Sequence, residues 1–301
     1  MSLRVMRRRA HRHRGAALLI VLWAVVLLTG MVTLFAITAR TEGLQGRTLA
    51  RSTAARYAAE AGLEVAAVHL QGGDLPTRWL PDGRPQRFPF AGYTVEVRAV
   101  DESAKVDLNA APPDVLSGLF IALAIDPDRA RALAGAITDW RDADNLVAGE
   151  GGAEDPDYAR AGLPYGAKDR PFDTVGELRQ VLGMDAATFE RARPYLTIYT
   201  GQARPTPAFA ARPVLQALGM SPEQIAEVLV QRGDVEPGQP TALPGQLATL
   251  AAQGTGTYSI SSQATRADGT RVRIQAVIRI GGGGGSGQMY LPLSWRVGET
   301  D

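Results

Sequence analysis

The chain has 301 residues, of which 45% are hydrophobic, and its formal net charge at pH 7 is +1. This value hides an asymmetry, because the first 15 residues carry six arginines and no acidic residue, which leaves −5 on the remainder. An acidic remainder argues against a nucleic-acid-binding protein. Cysteine is absent, so disulfides are excluded as a source of stability, and the fold must be stabilised by its hydrophobic core or by a metal ion.

Residues 16–39 form an uninterrupted run without a charged side chain. As a helix, this run is about 36 Å long, which is enough to cross the ~30 Å hydrocarbon core of a bilayer. The arginines before it predict a single-pass protein of the inner membrane, with a cytoplasmic N-terminus and a periplasmic body. A plain signal anchor fits this length, whereas a cleaved secretory signal has a shorter apolar core.

The helical pattern continues beyond the apolar run. Residues 40–70 contain no proline, and small or apolar residues recur among charged ones at roughly helical spacing. These residues are Leu44, Leu49, Ala55, Ala59, Leu63, Ala66 and Ala67. The sequence therefore predicts one helix of some 50 residues, apolar in its first half and amphipathic in its second.

Strand patterns occur on both sides of a helical middle. Residues 72–89, rich in Gly, Pro and Asp, are predicted to be a connection, and residues 90–100 alternate as a strand does. Near the C-terminus, residues 257–262 and 271–280 alternate around an Asp-Gly turn. Residues 281–287 are predicted to be a flexible linker or loop, and residues 289–297 one more strand. These patterns indicate an α+β fold whose small sheet is interrupted by an insertion.

The middle of the chain contains a weak internal repeat. The sequence Leu-Gly-Met followed by a helix occurs at residues 182–184 and again at 218–220. The first copy opens with Asn109, a suitable helix N-cap, before Pro112 and Pro113. A DNA-binding hairpin would present a Gly-x-Gly turn to phosphate, and both copies lack the second glycine. The pattern therefore favours a protein-contact module over a DNA clamp.

Residues 139–157 form a strongly acidic segment, with seven carboxylates and Arg141 as the single basic residue. Calcium accepts six to eight oxygen ligands from flexible loops and would relieve this repulsion. The EF-hand template is only half met, with Asp142 and Asp144 at its first and third positions. A solvated acidic loop remains the alternative.

Enzymatic function has little support in the sequence. Two of the three histidines, His11 and His13, lie in the arginine-rich leader, and His69 lies within the long predicted helix. The chain therefore lacks the histidines that a catalytic triad or a zinc site would need. The sequence predicts a protein that is not an enzyme.

The basic leader, Gly15 and the half-apolar, half-amphipathic helix together resemble the class III signal of type IV pilins and of type II secretion pseudopilins. The resemblance implies that a prepilin peptidase cleaves between Gly15 and Ala16 and that the helix stays in the mature protein. The fifth mature residue would then be Ile20, where most members carry a glutamate that pairs with a neighbouring subunit. A buried carboxylate without a partner is costly, so Ile20 indicates a terminal subunit.

A second resemblance comes from the acidic segment. Asp-Trp-x-Asp-x-Asp at residues 139–144, Gly-Ala-Glu-Asp at 152–155 and Pro-Tyr-x-Ala at 164–167 resemble the insertion of the protein K family, the large minor pseudopilins of type II secretion. In that family, this loop binds calcium. The ligands that the motif positions imply are Asp142, Asp144, Glu154 and Asp155, with Asp139 and Glu150 as further candidates.

The resemblance also implies a fold and partners. The expected architecture is a pilin-like long N-terminal helix packed on a small antiparallel sheet, with a large, mostly helical insertion of the SAM-like or helix-hairpin-helix type. The expected partners are the I-type and J-type minor pseudopilins, in a complex at the tip of the pseudopilus that starts its assembly for protein export. A membrane-anchored DNA-uptake protein and a minor pilin of a type IV pilus are the alternatives.

The predicted domain organisation follows from these assignments. It consists of a cleaved leader at 1–15, a membrane-spanning segment at 16–40, an inserted domain at 106–253, and a pilin-like domain formed by 41–105 and 254–301.

Overall fold

The computed structural model describes residues 14–71, 79–149, 151–233, 256–281 and 289–298, with side chains from residue 17 onward. The chain divides into two compact units, residues 1–54 and residues 55–301. Helix α1, Arg14–Leu70, contributes to both units. The single long helix predicted from the sequence is therefore present.

In the first unit, the apolar part of α1 is exposed along its whole described length. Its length and composition fit a single-pass membrane anchor. The polar groups in this stretch are satisfied locally, since the hydroxyls of Thr29, Thr33 and Thr38 each donate to a carbonyl four residues earlier, at 2.7 to 3.0 Å. Such internal pairing suits a helix surrounded by lipid, where water cannot supply partners.

The second unit contains seven strands and six further α-helices in its described part. The strands are β1 (Asp82–Phe90), β2 (Tyr93–Asp101), β3 (Val106–Asp107), β4 (Leu196–Thr197), β5 (Thr257–Thr265), β6 (Arg271–Ile280) and β7 (Tyr290–Gly298). The helices are α2 (Pro113–Ala122), α3 (Pro127–Arg141), α4 (Asp155–Arg160), α5 (Ala186–Ala192), α6 (Arg212–Ala217) and α7 (Pro222–Gly233).

Five strands form one antiparallel sheet in the order β1-β2-β5-β6-β7. All the helices after α1 come between β2 and β5 in the chain, as the interrupted-sheet prediction requires. The prediction of a connection at residues 72–89 was wrong in part, because β1 begins at Asp82. This edge strand contains Pro85 and Pro89, which an edge tolerates because its outer side lacks a hydrogen-bonding neighbour.

One face of the sheet packs on the second half of α1, where Ala55, Ala59 and Leu63 are fully buried. Small residues allow a close approach: a Cβ added to Gly62 would lie 2.8 Å from Val95 Cγ1 and 3.0 Å from Val97 Cγ2. The predicted buried positions beyond residue 55 are confirmed. Leu44 and Leu49 belong to the first unit and are exposed there.

The inserted segment has a hydrophobic core of its own, formed largely by α2, α3 and the turns around them. The segment just before the first Leu-Gly-Met sequence is a 3₁₀ helix, Val175–Gln180. Asn109 does not cap α2, since Pro112 is the N-cap residue. Instead, Asn109 exchanges two hydrogen bonds with the backbone of Phe172, at 2.7 and 3.0 Å.

A buried ion pair connects the insertion to the sheet. The Glu102 carboxylate is 1% exposed and accepts a hydrogen bond from Lys105 Nζ at 2.5 Å. It also accepts from the hydroxyls of Thr197 on β4 and Ser259 on β5. One carboxylate therefore joins the short β3-β4 pair of the insertion to a central strand of the large sheet.

Candidate metal centre

The acidic segment is positioned by two helix ends. Asp139 lies in the last turn of α3, and Asp142 follows that helix, with its backbone N–H donating to the Thr138 carbonyl at 3.1 Å. Glu154 precedes α4, whose first turn contains Pro156, a residue suited to that position. The connecting chain folds back so that the start of α4 meets the end of α3.

Three carboxylates meet at this point. Asp139, Asp142 and Glu154 each offer an oxygen atom, and these atoms lie within 4.8 Å of one another. Asp139 is 0% exposed and Glu154 is 4% exposed. Asp139 Oδ2, Asp142 Oδ1 and Glu154 Oε1 are buried without a hydrogen-bond partner among the described residues. Buried, unpaired carboxylate oxygens are costly, and a hard cation such as calcium would satisfy them.

The protonation behaviour of the three carboxylates reflects the same crowding. Burial raises the pKa of Glu154 to about 7, and the charges of Asp139 and Asp169 act in the same direction. Burial also raises the pKa of Asp139 and of Asp142 above the usual value. Each group therefore resists ionisation as long as no positive charge is nearby.

The backbone around Asp139 leaves little room for side chains. Asp139 Oδ1 accepts a hydrogen bond from the backbone N–H of Ala148 at 2.8 Å. A Cβ added to Gly152 would overlap Asp139 Oδ2 and would lie 2.7 Å from the Ala148 nitrogen. Glycine at position 152 thus lets the loop close over the carboxylate.

An aromatic cluster lies beside the carboxylates. The Trp140 ring centroid is 5.9 Å from that of Tyr158 and 6.2 Å from that of Phe172, and Tyr165 contacts Trp140 edge-on at 6.5 Å. The Tyr158 hydroxyl accepts a hydrogen bond from the Leu182 backbone at 3.1 Å, and burial raises its pKa to about 12. These rings pack the wall of the site and leave ligation to the carboxylates.

The basic residue of the segment does not neutralise it. Arg141 directs its guanidinium toward the start of α2, where it donates to the carbonyls of Leu108 and Ala111 at 2.5 and 2.7 Å. Burial lowers the pKa of Arg141, and the charges of Asp107 and Asp142 oppose this shift. Among the described residues, no ion pair joins Arg141 to the three carboxylates.

The remaining candidate ligands lie outside this group of three. Asp144 is exposed and accepts from the Leu146 backbone at 2.9 Å, whereas Asp155 Oδ1 accepts from the Ala167 backbone at 3.0 Å. Glu150 lies outside the described residues. The sequence analysis missed Asp169, whose charge raises the pKa of both Asp142 and Glu154. The sequence signal that could have identified Asp169 is its position two residues after the Pro-Tyr-x-Ala motif.

The residues of the predicted cleavage and assembly sites lie in α1. Gly15 and Ala16 occupy its first turn, and Ile20 is 69% exposed.

Comparison with known proteins identifies relatives of the region that holds the site. The family model described as type II secretion system protein K matches residues 95–201. The type II secretion system protein K of Pectobacterium carotovorum is 33% identical over 211 residues, covering 62% of each chain. That of Klebsiella pneumoniae is 31% identical over 209 residues, covering 62% of this chain and 63% of the relative. The matched part thus spans about three fifths of the length of these curated relatives.

Among solved structures, the crystal structure of the GspK-GspI-GspJ complex from the type 2 secretion system of enterotoxigenic Escherichia coli contains a similar chain, with a TM-score of 0.58. The alignment covers 85% of this chain and 100% of that chain at 17% identity, and it supports the fold alone. The family model is the more informative match, because residues 95–201 include most of β2, helices α2 to α5 and the acidic segment. Over residues 95–201, the chain is similar to the type II secretion system protein K family.

Proposed function

We propose that this chain is a minor pseudopilin at the tip of the pseudopilus of type II secretion, where it starts assembly together with I-type and J-type minor pseudopilins. The observation that carries the proposal is the protein K match over residues 95–201 in a chain that also has the long helix and the sheet of a pilin. The solved relative forms a complex with GspI and GspJ, which supports the choice of partners.

Ile20 supports a terminal position. Its apolar side chain is exposed on a helix that fits a membrane anchor, and it offers no carboxylate to a subunit above. Cleavage between Gly15 and Ala16 by a prepilin peptidase would make Ile20 the fifth mature residue. The insertion is a bulky addition to the pilin-like part, and it would obstruct a further subunit above this one.

Assembly can be tested in membranes that contain the full chain together with I-type and J-type minor pseudopilins and the peptidase. We expect the three proteins to copurify, and mass spectrometry to show Ala16 as the first residue. Gly15→Leu should block cleavage, whereas Gly46→Leu, in an exposed helical turn, should not. Failure to copurify, or duplex DNA binding by the full chain, would argue against the tip role and favour a DNA-uptake protein.

We further propose that Asp139, Asp142 and Glu154 hold a calcium ion. The three unpaired carboxylate oxygens fit a hard cation, and their burial makes the ion-free charge state unfavourable. When bound, calcium would supply the positive charge that Arg141 does not bring to the cluster. The residues of this chain then act by fixing the end of α3 against the start of α4, which shapes the surface of the insertion.

A calcium titration of the full chain in detergent tests this site. A ligand that binds only the folded state at 100 times its Kd stabilises by about 2.7 kcal/mol, so the melting temperature should rise with calcium. Asp142→Asn should remove most of this response, while Asp155→Asn, outside the group of three, should retain it. Unchanged melting of the wild-type chain in calcium would refute the site, and an equal response to magnesium would refute its selectivity.

A further inference from the structure

The face of the large sheet that points away from α1 is strongly basic. Arginines occupy outward positions on four of its strands, and Glu96 is the single acidic residue at the outward positions of β2, β5, β6 and β7 in the described chain. We define the basic face as Arg87, Arg98, Arg271, Arg273 and Arg296. Arg271 and Arg296 are exposed, and the side chains of Arg87 and Arg98 are 65% and 48% exposed.

Strand register places most of these arginines at the ends of two rows across the sheet. Arg87 lies opposite Glu96, Glu96 opposite Gln263, and Gln263 opposite Arg273. A second row runs from Arg98 through Ser261 and Gln275 to Arg296. Neighbouring strands are about 4.8 Å apart, so each row spans four strands within about 15 Å. The basic face therefore consists of two groups of arginines, with Arg87 and Arg98 on β1 and β2 and with Arg271, Arg273 and Arg296 on β6 and β7.

The face already binds one carboxylate. Arg87 Nη2 lies 2.6 Å from Glu96 Oε2, and Arg98 Nη2 lies 2.9 Å from Glu96 Oε1, so each carboxylate oxygen has its own guanidinium. The hydrogen bond from Arg87, reinforced by Arg98, lowers the pKa of Glu96. Planar guanidinium groups match carboxylates in this way. The arrangement shows which chemistry the rest of the face can accept.

Three arginines of the face have no acidic partner among the residues that the structure describes. Arg273 donates to the Gln263 side-chain oxygen at 2.6 Å, and neither Arg271 nor Arg296 forms an ion pair within the described residues. Unpaired positive charge on a sheet face repels itself and stabilises nothing within the chain. Opposite charge from outside would relieve this repulsion, which indicates a binding surface.

We propose that the basic face docks a carboxylate-rich surface of another protein, independently of the assembly role. Carboxylate is favoured over nucleic acid for two reasons. The face already binds one carboxylate, Glu96, with one guanidinium at each of its two oxygens. In addition, no aromatic residue occupies the outward positions of β2, β5, β6 or β7 as described, so unpaired bases would find no stacking surface.

The test uses the full chain in nanodiscs of zwitterionic phosphatidylcholine, with fluorescent poly-L-glutamate as the probe. Because exposed ion pairs contribute modestly, neutralising two arginines in Arg271→Gln/Arg296→Gln should weaken binding about tenfold. The matched control, Arg191→Gln/Arg212→Gln, removes the same charge from exposed positions of the insertion and should change binding less than about twofold. Melting curves of both variants should match the wild type.

Three results would overturn the proposal. An equal loss in the control variant would show that net charge alone drives binding. Absence of polyglutamate binding by the wild-type chain would show that the basic face does not bind carboxylates. Tighter binding to duplex DNA or to phosphatidylglycerol vesicles than to polyglutamate would assign the face to phosphate instead of protein carboxylates.

A single variant, Arg87→Gln, frees Glu96 to compete for the remaining arginines and should also weaken probe binding.

Discussion

Glu154 links proton binding to stability at the candidate metal centre. Its pKa is raised from 4.5 to about 7 in the folded protein, so the folded state holds the proton more tightly than the unfolded state. The stability from this group is therefore fully present below pH 4.5 and is lost as the pH rises through about 7. A bound cation would offset the loss, because it stabilises the ionised form.

We predict that the metal-free wild-type chain loses stability relative to Glu154→Gln as the pH is raised from about 5 to 8, since the amide does not ionise. Melting temperatures of both proteins in a chelator, measured across this range, give the difference directly. Calcium should reduce the difference in melting temperature between the two proteins at high pH. Parallel pH profiles for the two proteins would show that Glu154 is not the group responsible.

Gly152 provides a steric prediction at the same scale. Alanine there would overlap Asp139 Oδ2 and press on the Ala148 backbone, so we expect Gly152→Ala to destabilise the fold by about 1 to 3 kcal/mol. Gly233→Ala is the control, because a Cβ at that helical position meets nothing within 4 Å. Urea unfolding of the two variants compares them, and equal midpoints would contradict the close packing at residue 152.

At the scale of elements, the contact between α1 and the sheet depends on a small residue. Gly62→Ala should cost about 1 to 3 kcal/mol, because the new methyl group would push against Val95 and Val97. Gly46→Ala, where a Cβ meets nothing within 4 Å, should instead stabilise α1 by up to about 1 kcal/mol. Thermal melting of the full chain in detergent should move in opposite directions for the two substitutions.

Some elements were predictable and others were not, for physical reasons. The alternation in β5 and β6 is clear because one face is buried against α1 while the other is polar. Strand β1 was missed because Gly83, Pro85 and Pro89 are typical of loops and are tolerated only at an edge. The role of Asn109 was missed because its partner, Phe172, is 63 residues away in the chain.

The site illustrates the same limit. The sequence supplied the candidate carboxylates, but composition cannot say which of them meet. Asp144 and Asp155 bind nearby backbone N–H groups, whereas Asp139, at the end of α3, is turned into the core. Asp169 approaches from a different loop, so spacing within the acidic segment could not include it.

At the scale of the second unit, Glu102 is the residue that couples the insertion to the sheet. Glu102→Ala would leave the half-buried Lys105 without its counter-charge and would remove the acceptor of the Thr197 and Ser259 hydroxyls. We expect a loss of about 3 kcal/mol in the free energy of unfolding. Glu190→Ala breaks exposed ion pairs and should cost less than about 1 kcal/mol.

Urea unfolding followed by both circular dichroism and tryptophan fluorescence measures this effect. If Glu102 couples the two parts, its removal should separate their transitions in variants that keep a single tryptophan, either Trp140 in the insertion or Trp295 on the sheet. Coincident transitions with wild-type midpoints would contradict the coupling.

The prolines at the borders of the sheet have a consequence for how the protein meets its neighbours. Pro85 and Pro89 on β1 and Pro292 on β7 each remove a backbone donor, and a register shift interrupts the pairing of β7. An incoming chain would therefore find no continuous ladder to extend at either border. Growth of fibrils by strand addition is disfavoured, and contacts between subunits are left to helices and side-chain surfaces.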